Sequence, residues 1–497
     1  MAPRIACVCS LGLAALSCAQ PTPSGTARVA VDTPATPAGR ALAAWLRVYN
    51  LGNLDSGRAF AEEAYSKAEL AERSAELIAR GQRLWLMNYG AMRLVSVDSS
   101  GPHALEATVH EALTDAFGKV FVEVDSVPPY GISGVWLIPF VPPPPGSRTP
   151  RLADDALAAA LDQYAARLAE HDVLSGAVLV ARQGRPIFAQ AYGLADRDPA
   201  MPNTLETRFE LASLSKLFTA VAVAQLVEQG RLSFQESVAE ALPDYPNVEV
   251  GRRVTIHHLL THTSGLPDYY RNGKYRQFED SIRTLRDFWR TFAQDSLWSE
   301  PGARFDYSNS NYILLGSIVE QASGMPFETY VQRHIFEPAG MTSTCYCEPG
   351  APRYATPQSR YTAGFGPGRR PVIERWVEVP AGAKRPGAPG GGGISTVGDL
   401  VRFGQALLDH RLLTERMTAL VLAPKVPTDD GGSRGYGFEV NEWSGTRVVG
   451  HGGNFWGSMS QLDIYPESGY TVVVLSNNDA SGGEAIRNWT RAHLTIR

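Results

Sequence analysis

Residues 209–232 read FELASLSKLFTAVAVAQLVEQGRL, and this stretch decides the fold. From Leu217 onward it is apolar nearly all round, with Leu217, Phe218, Ala220, Val221, Val223, Leu226 and Val227 leaving no polar stripe. A helix of that kind is buried in a core. It is entered through Ser213-Leu214-Ser215-Lys216. Residues i and i+3 share a helix face, so Ser213 at the helix N-terminus and Lys216 are expected side by side. A serine hydroxyl is a poor nucleophile until a neighbour takes its proton. A lysine desolvated in a buried site has a lowered pKa and can take that proton, or assist a group that does. Free N–H groups at the helix start add positive potential where an oxyanion would develop. Taken alone, Ser-x-x-Lys equally fits a serine that caps a helix ahead of an exposed lysine.

The rest of the chain supplies the company this motif needs. FDYSNSNYILLG contains Tyr307-Ser308-Asn309, and VVGHGGNFWG contains His451-Gly452-Gly453. TIHHLLTHTSGLPDY starts at Thr255, GGGGISTVGDLVRFGQALL at Gly390 and AYGLAD at Ala191. With FELASLSKLFTA, these phrases resemble the serine β-lactamase and penicillin-recognising hydrolases, on their class C, esterase and D-peptidase side. The resemblance runs over roughly residues 152–495. It implies an antiparallel sheet flanked by helices plus a mostly α lobe, and a serine hydrolase working through an acyl-enzyme on an ester, amide or peptide. It implies no metal or cofactor. The alternative is a non-catalytic cell-wall or ligand-binding protein that kept the fold.

Roles follow from the likeness residue by residue. Ser213 resembles the acylated serine, with Lys216 in its proton-transfer machinery. Tyr307 looks like the partner base, its phenol pKa expected to be lowered by the lysine charge. Asn309 is similar to the residue that steadies Lys216 and bonds substrate. The backbone N–H groups of Ser213 and Asn454 would form the oxyanion hole. Gly452 and Gly453 would let a strand approach substrate without side-chain obstruction. His451 stands where lysine is common in this family. Histidine is mostly neutral at pH 7, which moves the expected substrate away from β-lactams and towards esters, or amides of another kind.

Other histidines have a plainer reading. His258 and His262 are four apart, with His257 adjacent, but no glutamate completes an H-E-x-x-H pattern, so a structural role is expected. Thr396 and Asp399 match a helix capping box. Gly390 to Gly393 would lie beside the active site. Trp443 and Trp456 fit either a pocket wall or the core.

Composition bounds the alternatives. The chain has 497 residues, 44% of them apolar, and a formal charge of −5, which gives no reason to expect nucleic acid as a partner. No P-loop or GxGxxG-after-strand pattern points to a nucleotide. Arg4 followed by the short apolar run Ile5 to Leu16 reads as a signal segment over 1–18, too short to span a bilayer. Ser17-Cys18-Ala19 suits ordinary cleavage, while Ala15 to Cys18 resembles a bacterial lipobox in which Cys18 would be lipidated and attach the protein to a membrane. Either reading sends the protein out of the cytoplasm; the remaining alternative is a disordered, uncleaved start. Cys345 and Cys347 read as a loop pair without a role, because one intervening residue would strain a mutual disulfide.

Residues 19–39 are rich in Pro, Thr, Ala and Ser and read as a flexible tether. Residues 141–150, with four consecutive prolines, read as a linker. Between them, 40–140 begins with helical periodicity and continues as four alternating segments from Met92, Ala104, Lys119 and Ile132, an α+β accessory domain. Its order and its opening WLRVYNLGNLD resemble the cone-shaped nuclear transport factor-like fold. The hydrolase domain would then occupy 151–497.

Overall fold

The computed structural model describes residues 31–147, 149–278, 281–347, 354–361, 372–379, 389–429, 431–443 and 445–495. The expected signal segment and most of the expected tether lie outside these ranges.

The chain begins with helices α1 (Pro37–Leu51), α2 (Leu54–Ala64), α3 (Lys67–Glu72) and α4 (Ala75–Tyr89). Thr36, Asn53, Ser66 and Ser74 each accept an N–H of the first turn that follows, so every start is capped. Helix α1 opens inside the stretch read as tether, because Thr36-Pro37 makes a cap and a first-turn proline. An antiparallel meander follows: β1 (Met92–Ser100), β2 (Ala104–Glu111), β3 (Ala116–Val124) and β4 (Ile132–Val141), in that spatial order. Alternate residues Leu105, Ala107 and Val109, with Val120 and Val122, meet Leu42, Trp45 and Tyr49 of α1 in one core.

Helix α5 (Asp154–Glu170) leads into the hairpin β5 (Gly176–Arg182) and β6 (Arg185–Tyr192). Short β7 (Phe209–Glu210) precedes α6 (Lys216–Glu228), and α7 (Asn309–Ser323) follows after a stretch of short helices and loops. Next come β8 (Ile394–Ser395) and α8 (Val397–Leu408). The end of the chain supplies β9 (Val426–Pro427), β10 (Ser433–Arg434), β11 (Glu439–Trp443), β12 (Thr446–Phe455), β13 (Ser458–Tyr465), β14 (Tyr470–Ser476) and α9 (Gly482–His493). These form an eight-stranded antiparallel sheet in the order β9-β10-β11-β12-β13-β14-β5-β6. One face carries α5 and α9, with Trp489 stacked on Tyr164 at 5.2 Å. The other carries the helical lobe around α6, whose residues from Lys216 to Ala224 are all buried. This is the expected sheet flanked by helices, with the small α+β region ahead of it.

Three details depart from expectation. The strand expected at Arg447–Val449 runs on to Phe455, so the glycine pair lies on the strand itself. The stretch expected to hold helices and loops also holds β7 and β8, which pair antiparallel beside the Ser213 turn. Cys345 and Cys347 are disulfide-bonded, with Cα atoms 5.3 Å apart. Cys345 exchanges both backbone hydrogen bonds with Ile394, at 3.1 and 2.9 Å. Past that bridge the chain leaves regular structure, and the contracted Cα spacing brings the two thiols within bonding reach.

The small α+β region is tied to the larger one by direct bonds. Tyr164 Oη donates to the Thr114 carbonyl, and Ser481 Oγ donates to that of Asn88 at 2.8 Å. No helix among the described residues is long and apolar enough to cross a membrane.

Candidate active site

Ser213 sits in a 3-10 turn, Ala212–Ser215, that feeds straight into α6. It is therefore not a helix cap, and its side chain caps nothing there. Ala212 just before it has φ +46°, a left-handed conformation unusual for a residue with a Cβ. The turn is clamped from the sheet side, where Ser460 Oγ donates to the Leu211 carbonyl at 2.6 Å.

One helical step on, Lys216 is wholly buried, and its Nζ stands 3.1 Å from Ser213 Oγ. Nζ also donates to Asn309 Oδ1 at 2.8 Å and to the Gly390 carbonyl. Burial pulls the lysine pKa down to about 7, opposed by the Asp268 charge and helped by Arg434. A neutral amine keeps two N–H donors and one lone pair. With the donors spent on Asn309 and Gly390, the lone pair is left to accept from the Ser213 hydroxyl.

Tyr307 lies beside Lys216, whose Nζ is 4.9 Å from the ring centre, and Ser213 neighbours its hydroxyl. The expectation that its phenol pKa is lowered is not met. Tyr307 is partly buried, and desolvation of its hydroxyl pushes the phenol well above its ordinary value, more than Ser213 and Arg434 bring it down. Of this pair, the lysine is the group able to be a free base near neutral pH.

Asn309 opens α7 and is held by Asp268. Asp268 Oδ2 accepts both the Asn309 backbone N–H, at 3.0 Å, and Nδ2, at 2.8 Å. His262 Nδ1 lies 3.2 Å from the Ser308 N–H, and its ring stacks on Tyr307. His258 caps its own short helix with Thr255. These histidines do structural work, and no cluster of three metal-ligating side chains occurs among the described residues.

Strand β12 forms the opposite wall. Its pairing with β11 ends at Gly450, while pairing with β13 continues to Phe455. His451 is 3% exposed, with Nδ1 against the Gly452 carbonyl and Nε2 without a partner. Burial holds its pKa down to about 3, against the attraction of Glu439, so it is neutral at pH 7 as expected. The glycines also have a role inside the fold. A Cβ on Gly453 would lie 2.1 Å from the Leu211 carbonyl, and one on Gly452 would lie 2.8 Å from Gln461 Oε1. Their bareness lets the strand press against the Ser213 turn and its own neighbour. Asn454 is exposed on the same stretch of strand. Trp443 packs into the core on the α5–α9 side, while Trp456 is in the turn between β12 and β13.

All the residues expected at the site are thus gathered at one junction between sheet and lobe. Gly390 lies at the site, its carbonyl on Lys216 Nζ. Three further participants carry no signal in the motifs: Asp268, Arg434 and Glu439. Asp268 lies inside the phrase TIHHLLTHTSGLPDY, but an aspartate after Leu-Pro carries only a turn signal. Arg434 stands over the Tyr307 ring at 5.9 Å and pairs with Glu439 at 3.3 Å.

The β-lactamase family model matches residues 157–496. The chain belongs to the β-lactamase family. It is a serine hydrolase of that family. Penicillin-binding protein 4* of Bacillus subtilis is 32% identical over 326 residues, covering 63% of this chain and 70% of its own. Esterase EstB of Burkholderia gladioli is 36% identical over 216 residues, 41% of this chain and 55% of its own. Among solved structures, a penicillin-binding protein from Bacillus halodurans aligns with a TM-score of 0.57 and 33% identity, covering 65% of this chain and 98% of its own. EstCE1, a hydrolase with promiscuous acyltransferase activity, aligns at 0.58 with 26% identity over 68% of this β-lactamase-family chain and 98% of its own.

Proposed function

We propose that Ser213 is the nucleophile of an esterase or D-peptidase-like amide hydrolase, with Lys216 as its proton acceptor. The observation that carries this reading is the environment of Nζ, buried, drawn down to about 7, and bonded to two acceptors besides Ser213. Ser213 Oγ attacks the substrate carbonyl carbon, and its proton passes to the neutral amine. The oxyanion is received by the backbone N–H groups of Ser213 and Asn454. As the tetrahedral species collapses, the proton reaches the leaving group through the Tyr307 hydroxyl, which lies beside Lys216 and is protonated at rest. An acyl-enzyme remains, and water releases it by the same relay.

The substrate class rests on two supports. Relatives bear the names of penicillin-binding proteins and an esterase. The first position of the third motif is an uncharged histidine, which offers no fixed cation to a carboxylate. We propose further that the protein is exported through its first 18 residues, lipidated at Cys18 or cleaved beside it, and that 40–140 is an accessory domain joined by the 141–150 linker.

The test is a fluorophosphonate label read by intact mass, with a screen of p-nitrophenyl esters, nitrocefin and D-amino-acid amides. Wild type is expected to gain one adduct on Ser213 and to hydrolyse an ester or amide. Ser213→Ala is expected to gain none and to lose turnover. An unmodified wild type without turnover on any of these would leave the non-catalytic alternative standing.

A further inference from the structure

We propose that Asp268 is a positioning residue for this reaction, one that sets which way round the Asn309 amide lies and thereby where Lys216 points its lone pair. This rests on the reading of Lys216 as proton acceptor.

The argument is one of donors and acceptors. An ionised carboxylate can only accept, whereas a carboxamide has one accepting and one donating end. Asp268 is 3% exposed, and its Oδ2 already receives the Asn309 backbone N–H at 3.0 Å. The same oxygen receives Asn309 Nδ2 at 2.8 Å. Turning the amide over would set Oδ1 against that carboxylate and Nδ2 against the amine, two mismatches inside a buried site. Asn309 therefore shows Nζ an acceptor, at 2.8 Å. With Gly390 taking the other N–H, the amine's remaining site faces Ser213.

Asp268 is itself fixed. Its Oδ1 accepts the Tyr270 N–H at 2.8 Å, and its carbonyl accepts the N–H groups of Arg271 and Asn272, both at 3.0 Å. The carboxylate thus reaches Asn309 from a loop closed on itself, and connects that loop to the first turn of α7.

Its charge has a second effect. The groups around Lys216 are Asp268 and Arg434, with the rings of Tyr307, Tyr312, His262 and His451. Asp268 is the charge that favours the ammonium form, against burial and Arg434. Removing it favours the neutral amine at lower pH.

The experiment measures the pH profile of kcat/KM on a p-nitrophenyl ester for wild type, Asp268→Asn and the exchange Asp268→Asn/Asn309→Asp, with circular dichroism on each. Asp268→Asn is expected to lose activity about a hundred-fold, as misplaced catalytic groups do. Its acidic limb is expected to move to lower pH. The exchange brings the negative charge next to Nζ, and its limb is expected above that of wild type. A folded Asp268→Asn whose limb stays in place would overturn the proposal, whatever its rate. If that variant does not fold, an unmoved limb in the exchange overturns it. Full turnover by Ser213→Ala would instead sink the underlying reading, so the two failures are told apart.

Discussion

The imidazole of His262 lies flat on the phenol ring of Tyr307, with 4.2 Å between ring centres and 22° between planes. His262 has φ +56° and is buried, so it backs Tyr307 from a strained position. Removing the ring leaves a void behind the phenol. His262→Ala is expected to cost about 1–3 kcal/mol of stability, within the usual range for a buried truncation. It is expected to lower kcat about ten-fold or more, since Tyr307 gains room to leave Ser213. Thermal unfolding and ester kinetics on the same preparation check both. An unchanged kcat in a destabilised variant would show that the stack matters for packing alone.

The pH profile follows from Lys216. Its folded pKa is drawn down from 10.5 to about 7. The base is the neutral amine, so kcat/KM is expected to rise with pH through about 7 and then level off. His451, at about 3, and Tyr307, pushed far up, do not titrate in that window. Lys216→Arg keeps the charge but stays protonated throughout. It is expected to be inactive at every pH, and activity returning at high pH would point to another base.

Lys216→Ala and Tyr307→Phe are each expected to slow acylation by orders of magnitude. The double variant is expected to be little worse than the poorer single one, because groups that act as a unit are not additive. Pre-steady-state acylation rates give the comparison. Additive effects on log rate would mean two independent contributions.

Glu111 tests the region ahead of the hydrolase fold. It is wholly buried, Thr114 Oγ1 donates to its Oε2 at 2.5 Å, and Oε1 has no partner. Burial raises its pKa from 4.5 to about 7, with the Glu484 charge adding to the effect. Between those values the folded state holds a proton that the unfolded state releases. Stability from this group is therefore greatest at low pH and falls as pH rises through the window. Glu111→Gln removes that dependence and is expected to be more stable than wild type at pH 8, by up to about 3 kcal/mol. The advantage is expected to vanish near pH 4.5. Urea unfolding at the two pH values decides it.

Much of this was legible in the sequence. The apolar run after Lys216 could only be a buried helix, and three ordered motifs placed Ser213, Lys216, Tyr307, Asn309 and the His451 strand at one junction. What escaped was set by contacts distant in sequence. Asp268 matters through Asn309, 41 residues away, and Gly390, legible beside the site, makes its contact through a backbone carbonyl, which has no side-chain signature. The sign of the Tyr307 shift is not legible because a motif shows the nearby cation but not the desolvation of the hydroxyl. The bond between Cys345 and Cys347 is not legible because spacing alone does not say how closely the backbone brings the two Cα atoms, here 5.3 Å apart.

The pairing of β5 with β14, register Gly176 with Ser476, sets a clock on biosynthesis. Roughly 300 residues separate the two, and at about 5–20 residues per second the ribosome needs on the order of 15–60 s to make them. For that interval the β5–β6 hairpin exists without the partner of its inner edge. The apolar run Ala177–Ala181, buried in the finished sheet, is then open to strands of other nascent chains. Yield during expression should therefore depend on how crowded those chains are, and slower initiation should raise it more than slower elongation.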